Sequence, residues 1–132
     1  SGGASPEVML LDLDSQQLIP TDPLIGFSGI SLPLKWCFVR HGHPCLHEKE
    51  QPDYDSVVVS LIWECCIIAQ ATAVIVDECL TVYLPLSDCK VMRHFQCGNK
   101  ELSACFRIQL MNEATNEIWT VVAAHPVRIK EH

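Results

Sequence analysis

The chain has 132 residues, 48% of them apolar, with nine basic and sixteen acidic side chains and a net charge of −7 at pH 7. That length fits a single domain, since domains commonly hold roughly 100–150 residues. Nucleic acids are bound mainly by Lys and Arg side chains that neutralise phosphates, so this composition argues against nucleic-acid binding. It also argues against a basic membrane-surface helix. We therefore expect another protein as the partner, and the oligomeric state stays open.

Cysteine usage indicates a reducing compartment. Eight cysteines in 132 residues fall below the roughly 8–10% that is typical of disulfide scaffolds. Cys65 and Cys66 are adjacent inside an apolar run, where free cysteine behaves as a small hydrophobe. A large apolar core also removes the need for covalent cross-links. We therefore expect reduced thiols and an intracellular location, cytoplasmic or nuclear, and the Gly-Gly start suggests a fragment of a larger protein.

Pro, Gly and Asp interrupt residues 1–27, so we predict a flexible N-terminal segment there, followed by one globular domain over residues 28–132. The apolar island of this segment, Val8–Leu13, is either part of a disordered tail or the first strand. The run Leu10-Leu11-Asp12-Leu13-Asp14 resembles a clathrin-box motif. That resemblance implies a trafficking adaptor in which Leu10, Leu11 and Leu13 enter pockets of the partner and Asp14 meets a basic rim.

Two later segments predict strands from alternating apolar and polar residues. The first is Ile30–Arg40, in which Pro33 lacks an N–H, so we expect this strand at a sheet edge or beside a bulge. The second is a β-hairpin, with strands over Ala104–Met111 and Ile118–Ala123. The residues between its strands, Asn112–Asn116, supply turn chemistry.

The run Val57–Leu86 is the hardest to assign because it is almost continuously apolar. Many of its residues are β-branched, which favours strands, yet a few polar and small residues recur at helical spacing. A core helix over residues 56–70 followed by a strand over residues 73–84 satisfies both patterns. An all-strand assignment is the open alternative. Glu64 near the centre of the run argues against a membrane span.

Together these elements predict an α+β domain with a mainly antiparallel β-sheet and one buried helix. The alternative fold class is an all-β sandwich or barrel. The three tryptophans Trp36, Trp63 and Trp119 lie within apolar patterns, so we expect them in the core, although exposed aromatic side chains are also frequent binding anchors.

Candidate metal ligands concentrate in one stretch, which holds Cys37, His41, His43, Cys45 and His47. A second group follows later in the chain and consists of Cys89, His94 and Cys97. Zinc takes Cys and His side chains in tetrahedral sets of four, often from two short segments. The spacings are not standard ones, so core cysteines and solvated loop histidines are the competing interpretation. We expect either no cofactor or zinc, held by at most four of these eight residues.

The same stretch also supports a catalytic interpretation. Phe38-Val39-Arg40-His41-Gly42 resembles the start of the histidine phosphatase (phosphoglycerate mutase-like) family, in which a hydrophobic strand ends in Arg-His-Gly. By that resemblance His41 takes the phosphoryl group, and Arg40 and His125 hold phosphate oxygens through charge-assisted hydrogen bonds.

Other catalytic patterns are absent from the sequence, including H-E-x-x-H, the phosphate-binding G-x-x-x-x-G-K-[ST] loop and the G-x-S-x-G elbow. We therefore favour a non-enzymatic protein–protein interaction domain. Zinc stabilisation, clathrin docking through Leu10–Asp14 and phosphoryl transfer by His41 remain the alternatives.

Overall fold

A computed structural model describes residues 7–44, 54–76 and 79–132 of the chain. It is mostly β-structure. The strands are β1 (Val8–Asp12), β2 (Gln17–Ile19), β3 (Leu24–Phe27), β4 (Leu32–Arg40), β5 (His43–Pro44), β6 (Ser56–Trp63), β7 (Cys66–Thr72), β8 (Val74–Val76), β9 (Cys79–Leu84), β10 (Glu101–Asn112) and β11 (Glu117–Lys130). One short helix, α1 (Cys89–Gln96), lies between β9 and β10. Within these ranges no helix is both long and apolar enough to cross a membrane.

The strands form two mixed sheets. The first has the order β2-β1-β4-β9-β8, with β5 paired to β4, and the second has the order β3-β11-β10-β6-β7. In the first sheet β1 runs parallel to β4, and in the second β3 runs parallel to β11. The expectation of a mainly antiparallel sheet is therefore corrected. Parallel pairing needs a crossover connection. The chain passes from β1 to β4 through β2 and β3, and it passes from β3 to β11 through the elements from β4 to β10. Alternation within a strand does not encode that choice.

The strand predicted from alternation over residues 30–40 is confirmed as β4. Its inward side chains Leu32, Leu34, Trp36 and Phe38 are all buried. The expectation that Pro33 places this strand at a sheet edge is wrong, since β4 lies between β1 and β9, although the pairing with β1 begins only at Lys35. Pro33 is therefore paired on one side only, opposite Tyr83 of β9.

The predicted core helix over residues 56–70 is wrong, since β6 and β7 form an antiparallel hairpin there. The two turn residues, Glu64 and Cys65, have φ angles of 50° and 63°, the signature of a two-residue turn with left-handed backbone. Val57, Val59 and Leu61 alternate into the core with at most 2% exposure. The β-branched residues thus follow their strand preference, and the all-strand alternative describes this part of the chain.

The one helix of the described residues is α1, in a stretch whose sequence suggested only metal ligands. Asp88 caps its N-terminus, because its side chain accepts a hydrogen bond from the backbone N–H of Lys90 at 2.8 Å. Val91 and Phe95, four residues apart, bury the inner face of the helix. Gly98, with φ of +95°, follows the C-cap as helix ends commonly require.

The predicted C-terminal hairpin is confirmed and is longer than expected. The pairing of β10 with β11 extends from the Glu101–Lys130 pair at one end to the Asn112–Glu117 pair next to the turn. A register shift near Arg107 marks a bulge within it.

A single hydrophobic cluster draws on both sheets. Its aromatic members Trp36, Phe38 and Phe106 are at most 1% exposed. Leu11 of β1 and Leu18 of β2 are buried to the same degree. Residues 8–27 therefore contribute three strands and part of the core, and the apolar island at Val8–Leu13 is a strand rather than a tail. The fold is closer to the all-β alternative than to the α+β expectation.

Candidate functional site

The outer faces of the two sheets present different side chains. The second sheet carries two hydrogen-bonded polar pairs among outward residues that also include the exposed Ile25, Phe27, Ile67 and Ile118. Gln109 Nε2 donates to Thr120 Oγ1 at 3.1 Å, and Gln70 Nε2 donates to Ser60 Oγ at 2.8 Å. Cross-strand polar pairs of this kind suit a face in contact with water.

The outer face of the first sheet carries a larger set of exposed apolar side chains. Six of its large residues are 42–62% exposed, and we call them the outer apolar face: Val8, Leu10, Ile19, Val74, Val76 and Tyr83. They come from four of the five strands in the main order of that sheet. Single exposed apolar residues are ordinary on a protein surface, so what distinguishes these six is that they share one face.

Strand register makes the outer apolar face continuous. Leu10 lies opposite Ile19 on one side and Cys37 on the other, and Val76 lies opposite Cys79. Cys37 and Cys79 are cross-strand neighbours, with Cα atoms 4.8 Å apart and sulfur atoms at disulfide distance. A row of five uncharged residues, of which Cys37 is half-buried and Cys79 is buried, therefore crosses the five strands of the main order.

Two charged side chains interrupt or border this face. Lys35 of β4 lies opposite Val8 of β1 and Thr81 of β9. A lysine stem packs along apolar surface while its ammonium group stays in water. Asp12 lies at the end of β1, where Ser15 Oγ donates to its Oδ2 at 3.0 Å, and this hydrogen bond lowers the pKa of Asp12.

The predicted clathrin-binding residues lie in and just after β1, where only part of the run is exposed. Leu10 and Asp14 are exposed, Leu13 is half-buried, and Leu11 is fully buried in the core. The backbone of β1 is paired with β2 on one side and β4 on the other. Leu11 therefore reaches a partner's pocket only if β1 leaves the sheet.

Asp14 holds the turn that follows β4. Its Oδ2 accepts the backbone N–H of His41 at 2.8 Å and lies 3.5 Å from His41 Nδ1. Arg40 Nη1 lies 3.9 Å from the other carboxylate oxygen. His41 and Gly42 form a two-residue turn between β4 and β5, both with positive φ. The histidine predicted as nucleophile or metal ligand is thus an exposed turn residue beside a carboxylate.

The structure separates the first group of candidate metal ligands. Cys37 lies on the outer face of the first sheet next to Cys79, and His43 is exposed in β5. Cys45 and His47 lie outside the described residues. In the ranges 7–44, 54–76 and 79–132, no three His, Cys, Asp or Glu side chains are arranged to hold a metal ion.

The second group lies on and around α1. Cys89 begins the helix and Cys97 is its C-cap, so eight residues at a rise of about 1.5 Å each place them roughly 12 Å apart. One zinc ion therefore binds at most one of these two thiols. His94 lies between them, and its Nε2 donates to the carbonyl oxygen of Glu101 at 2.8 Å. Zinc binding stays a prediction.

His125, the second histidine of the phosphatase resemblance, is buried in β11 of the other sheet. Its ring stacks on Phe106 with a centroid distance of 6.5 Å, and its Nε2 lies 3.0 Å from the carbonyl oxygen of Asp22. Since a carbonyl only accepts, that nitrogen carries the proton. Burial lowers the pKa of His125, because the charged ring loses its hydration. His125 and His41 belong to different sheets and contact different residues.

Comparisons with known proteins give a distant structural likeness. No protein-family model matches the chain, and no curated protein matches it. Among solved structures, the chain is similar to the "N-terminal domain of phage TP901-1 ORF48", with 10% sequence identity and a TM-score of 0.48. The match covers 95% of this chain and 96% of that chain. A likeness at this level carries no argument about function.

Proposed function

We propose that this chain is a non-enzymatic protein–protein interaction domain that binds its partner through the outer apolar face of the first sheet. The observation that supports this proposal is the contrast between the two sheets. The outward surface of the second sheet combines hydrogen-bonded polar pairs with the exposed apolar residues Ile25, Phe27, Ile67 and Ile118, whereas the first sheet gathers six large exposed apolar side chains on one face. Contiguous exposed apolar surface is uncommon on a monomer and marks interaction sites.

The charge of the chain indicates the chemistry of the partner. A second copy would also carry a net charge of −7, and two such copies repel each other at long range. A partner with an apolar centre and a basic rim is instead attracted to this chain. The partner should also place a carboxylate or carbonyl oxygen opposite Lys35. The ammonium group of Lys35 then keeps a hydrogen-bond partner when the partner covers the outer apolar face.

Photo-cross-linking tests this proposal directly. Tyr83 is 62% exposed, so the larger side chain of benzoylphenylalanine extends from this position into solvent. The matched control places the same group at Gln70, which is exposed on the outer face of the second sheet. We expect a discrete adduct with one basic protein from position 83 and none with that protein from position 70. Equal adducts from both positions would overturn the proposal.

The other functions that the sequence suggested have less support. Clathrin docking through Leu10–Asp14 requires β1 to detach, and phosphoryl transfer by His41 lacks an assembled site among the described residues. Zinc stabilisation and an intracellular location stay predictions.

A further inference from the structure

A second surface feature lies apart from the outer apolar face. It is a groove of about 380 Å³ between α1 and the turn that joins β6 to β7. We call it the α1 groove, and the residues that matter in it are Trp63, Glu64, Lys90, Arg93, His94 and Asn99. Small-molecule sites commonly have volumes of roughly 300–1,000 Å³, so the α1 groove is large enough for a small ligand.

The α1 groove gathers positive charge on an acidic chain. Lys90 and Arg93 are three residues apart on α1, which places them on the same face of the helix. Within the described part of the chain, no carboxylate lies at ion-pair distance from either side chain. Lys90 Nζ has a sulfur neighbour, the Sγ of Cys66 at 3.4 Å. Glu64 is the one acidic residue of the lining.

The wall of the α1 groove is aromatic and is held in place. Trp63 and His94 meet edge to face, with ring centroids 5.0 Å apart. His94 is fixed in turn by the hydrogen bond from its Nε2 to the Glu101 carbonyl. Asn99 Nδ2 donates to the backbone carbonyl of His94 at 2.8 Å. Because these contacts already hold the wall in position, a ligand does not have to reorder its side chains on binding. A preorganised site of this kind binds more tightly.

The geometry points to a binding site for an oxyanion, carboxylate or phosphate, carried on a flat apolar group. The guanidinium group of Arg93 matches either oxyanion through paired N–H donors, and Lys90 adds a point charge. The flat group packs against the indole of Trp63, since aromatic rings attract one another in stacked or edge-to-face arrangements. This inference does not depend on the proposed docking through the first sheet.

The test titrates the ¹⁵N-labelled protein with four probes and follows the indole N–H of Trp63 and the backbone amides of α1. Benzoate and phenyl phosphate carry both parts of the proposed ligand, inorganic phosphate lacks the ring, and benzamide lacks the charge. We expect saturable shifts with benzoate or phenyl phosphate and weaker binding of the other two probes. The tighter of the two oxyanion probes shows whether the α1 groove prefers a carboxylate or a phosphate.

Two variants locate the binding. Arg93→Gln removes the guanidinium group while keeping a residue of similar helix propensity, and we expect it to weaken oxyanion binding at least tenfold. Lys130→Gln, which removes one positive charge from β11, serves as the matched control and should leave binding unchanged. Equal binding of benzamide and benzoate, an equal loss in both variants, or no saturation with any probe would each overturn the inference.

Discussion

Leu10 of β1 and Ile19 of β2 face each other directly across the sheet, and both are 42% exposed. The residues that follow and precede them, Leu11 and Leu18, are also cross-strand partners and are at most 1% exposed. The same pair of strands thus places one apolar pair in the core and one in water. Only the inner pair is explained by folding, and the outer pair is available for binding.

Alanine substitution should separate these two roles. We expect Leu11→Ala to lower the free energy of unfolding by about 2–5 kcal/mol, because it leaves a cavity in the core. Leu10→Ala should change it by no more than roughly 0.5 kcal/mol, as is usual for a surface position. Urea denaturation of both variants measures the difference. Similar losses would show that Leu10 is part of the folded core.

His125 should make stability depend on pH. The pKa of the folded-state ring lies below its usual value of 6.5 because the ring is buried. As the pH falls, the unfolded chain therefore binds the proton at a higher pH than the folded chain does. The stability that the buried, neutral ring of His125 contributes is complete above pH 6.5 and declines below it. We expect the free energy of unfolding to fall less steeply between about pH 7.5 and pH 5 in His125→Gln than in the wild type. Identical profiles would contradict a buried, neutral His125.

The β6–β7 turn should accept residues that favour left-handed backbone. Glu64 and Cys65 both have positive φ without being glycine, which costs side-chain-bearing residues about 1–2 kcal/mol each. The double substitution Glu64→Asn with Cys65→Gly should therefore raise the free energy of unfolding. Thermal or urea unfolding checks this. A loss of stability would indicate that one of the two native side chains makes a contact that outweighs the strain.

Cys37 and Cys79 should pair with each other in preference to other cysteines. Their Cα separation of 4.8 Å lies within the range of about 4.4–6.8 Å that disulfides require. Cys65, Cys66, Cys89, Cys97 and Cys105 are free. Mass spectrometry of peptides from the mildly oxidised protein should find the Cys37–Cys79 link. Mixed links to the free cysteines at equal yield would contradict the register that places β4 against β9.

The sequence predicted those elements in which period-two alternation is clear. β4 and the β10–β11 hairpin follow directly from it. The sequence did not distinguish the β6–β7 hairpin from a helix. Its nearly continuous apolar run shows no alternation of apolar and polar residues, and its turn residues, Glu64 and Cys65, are neither Gly nor Asn, the residues that usually mark such a turn. Helix α1 was missed because eight residues with two buried positions produce little periodic signal.

The outer apolar face depends on the order and register of the strands in the sheet more than on the alternation of apolar and polar residues within each strand. Alternation assigns Leu10, Cys37 and Val76 to an outward face of their own strands, but it does not say that these strands are neighbours. Only the sheet order brings residues so far apart in the chain into one row. The tryptophans show the same limit, since Trp36 is fully buried while Trp63 and Trp119 are half-buried. Their apolar sequence surroundings do not distinguish them.

Binding of the partner by matched variants tests the central claim most directly. One variant carries Leu10→Ser and Val74→Ser on the outer apolar face, and the control carries Ile67→Ser and Ile118→Ser, which are 50% and 53% exposed on the second sheet. The partner identified by cross-linking is purified, and its Kd for each variant is measured. We expect the first variant to bind at least tenfold more weakly and the control to bind like the wild type. Equal affinity of both variants, or a loss confined to the control, would contradict docking through the first sheet.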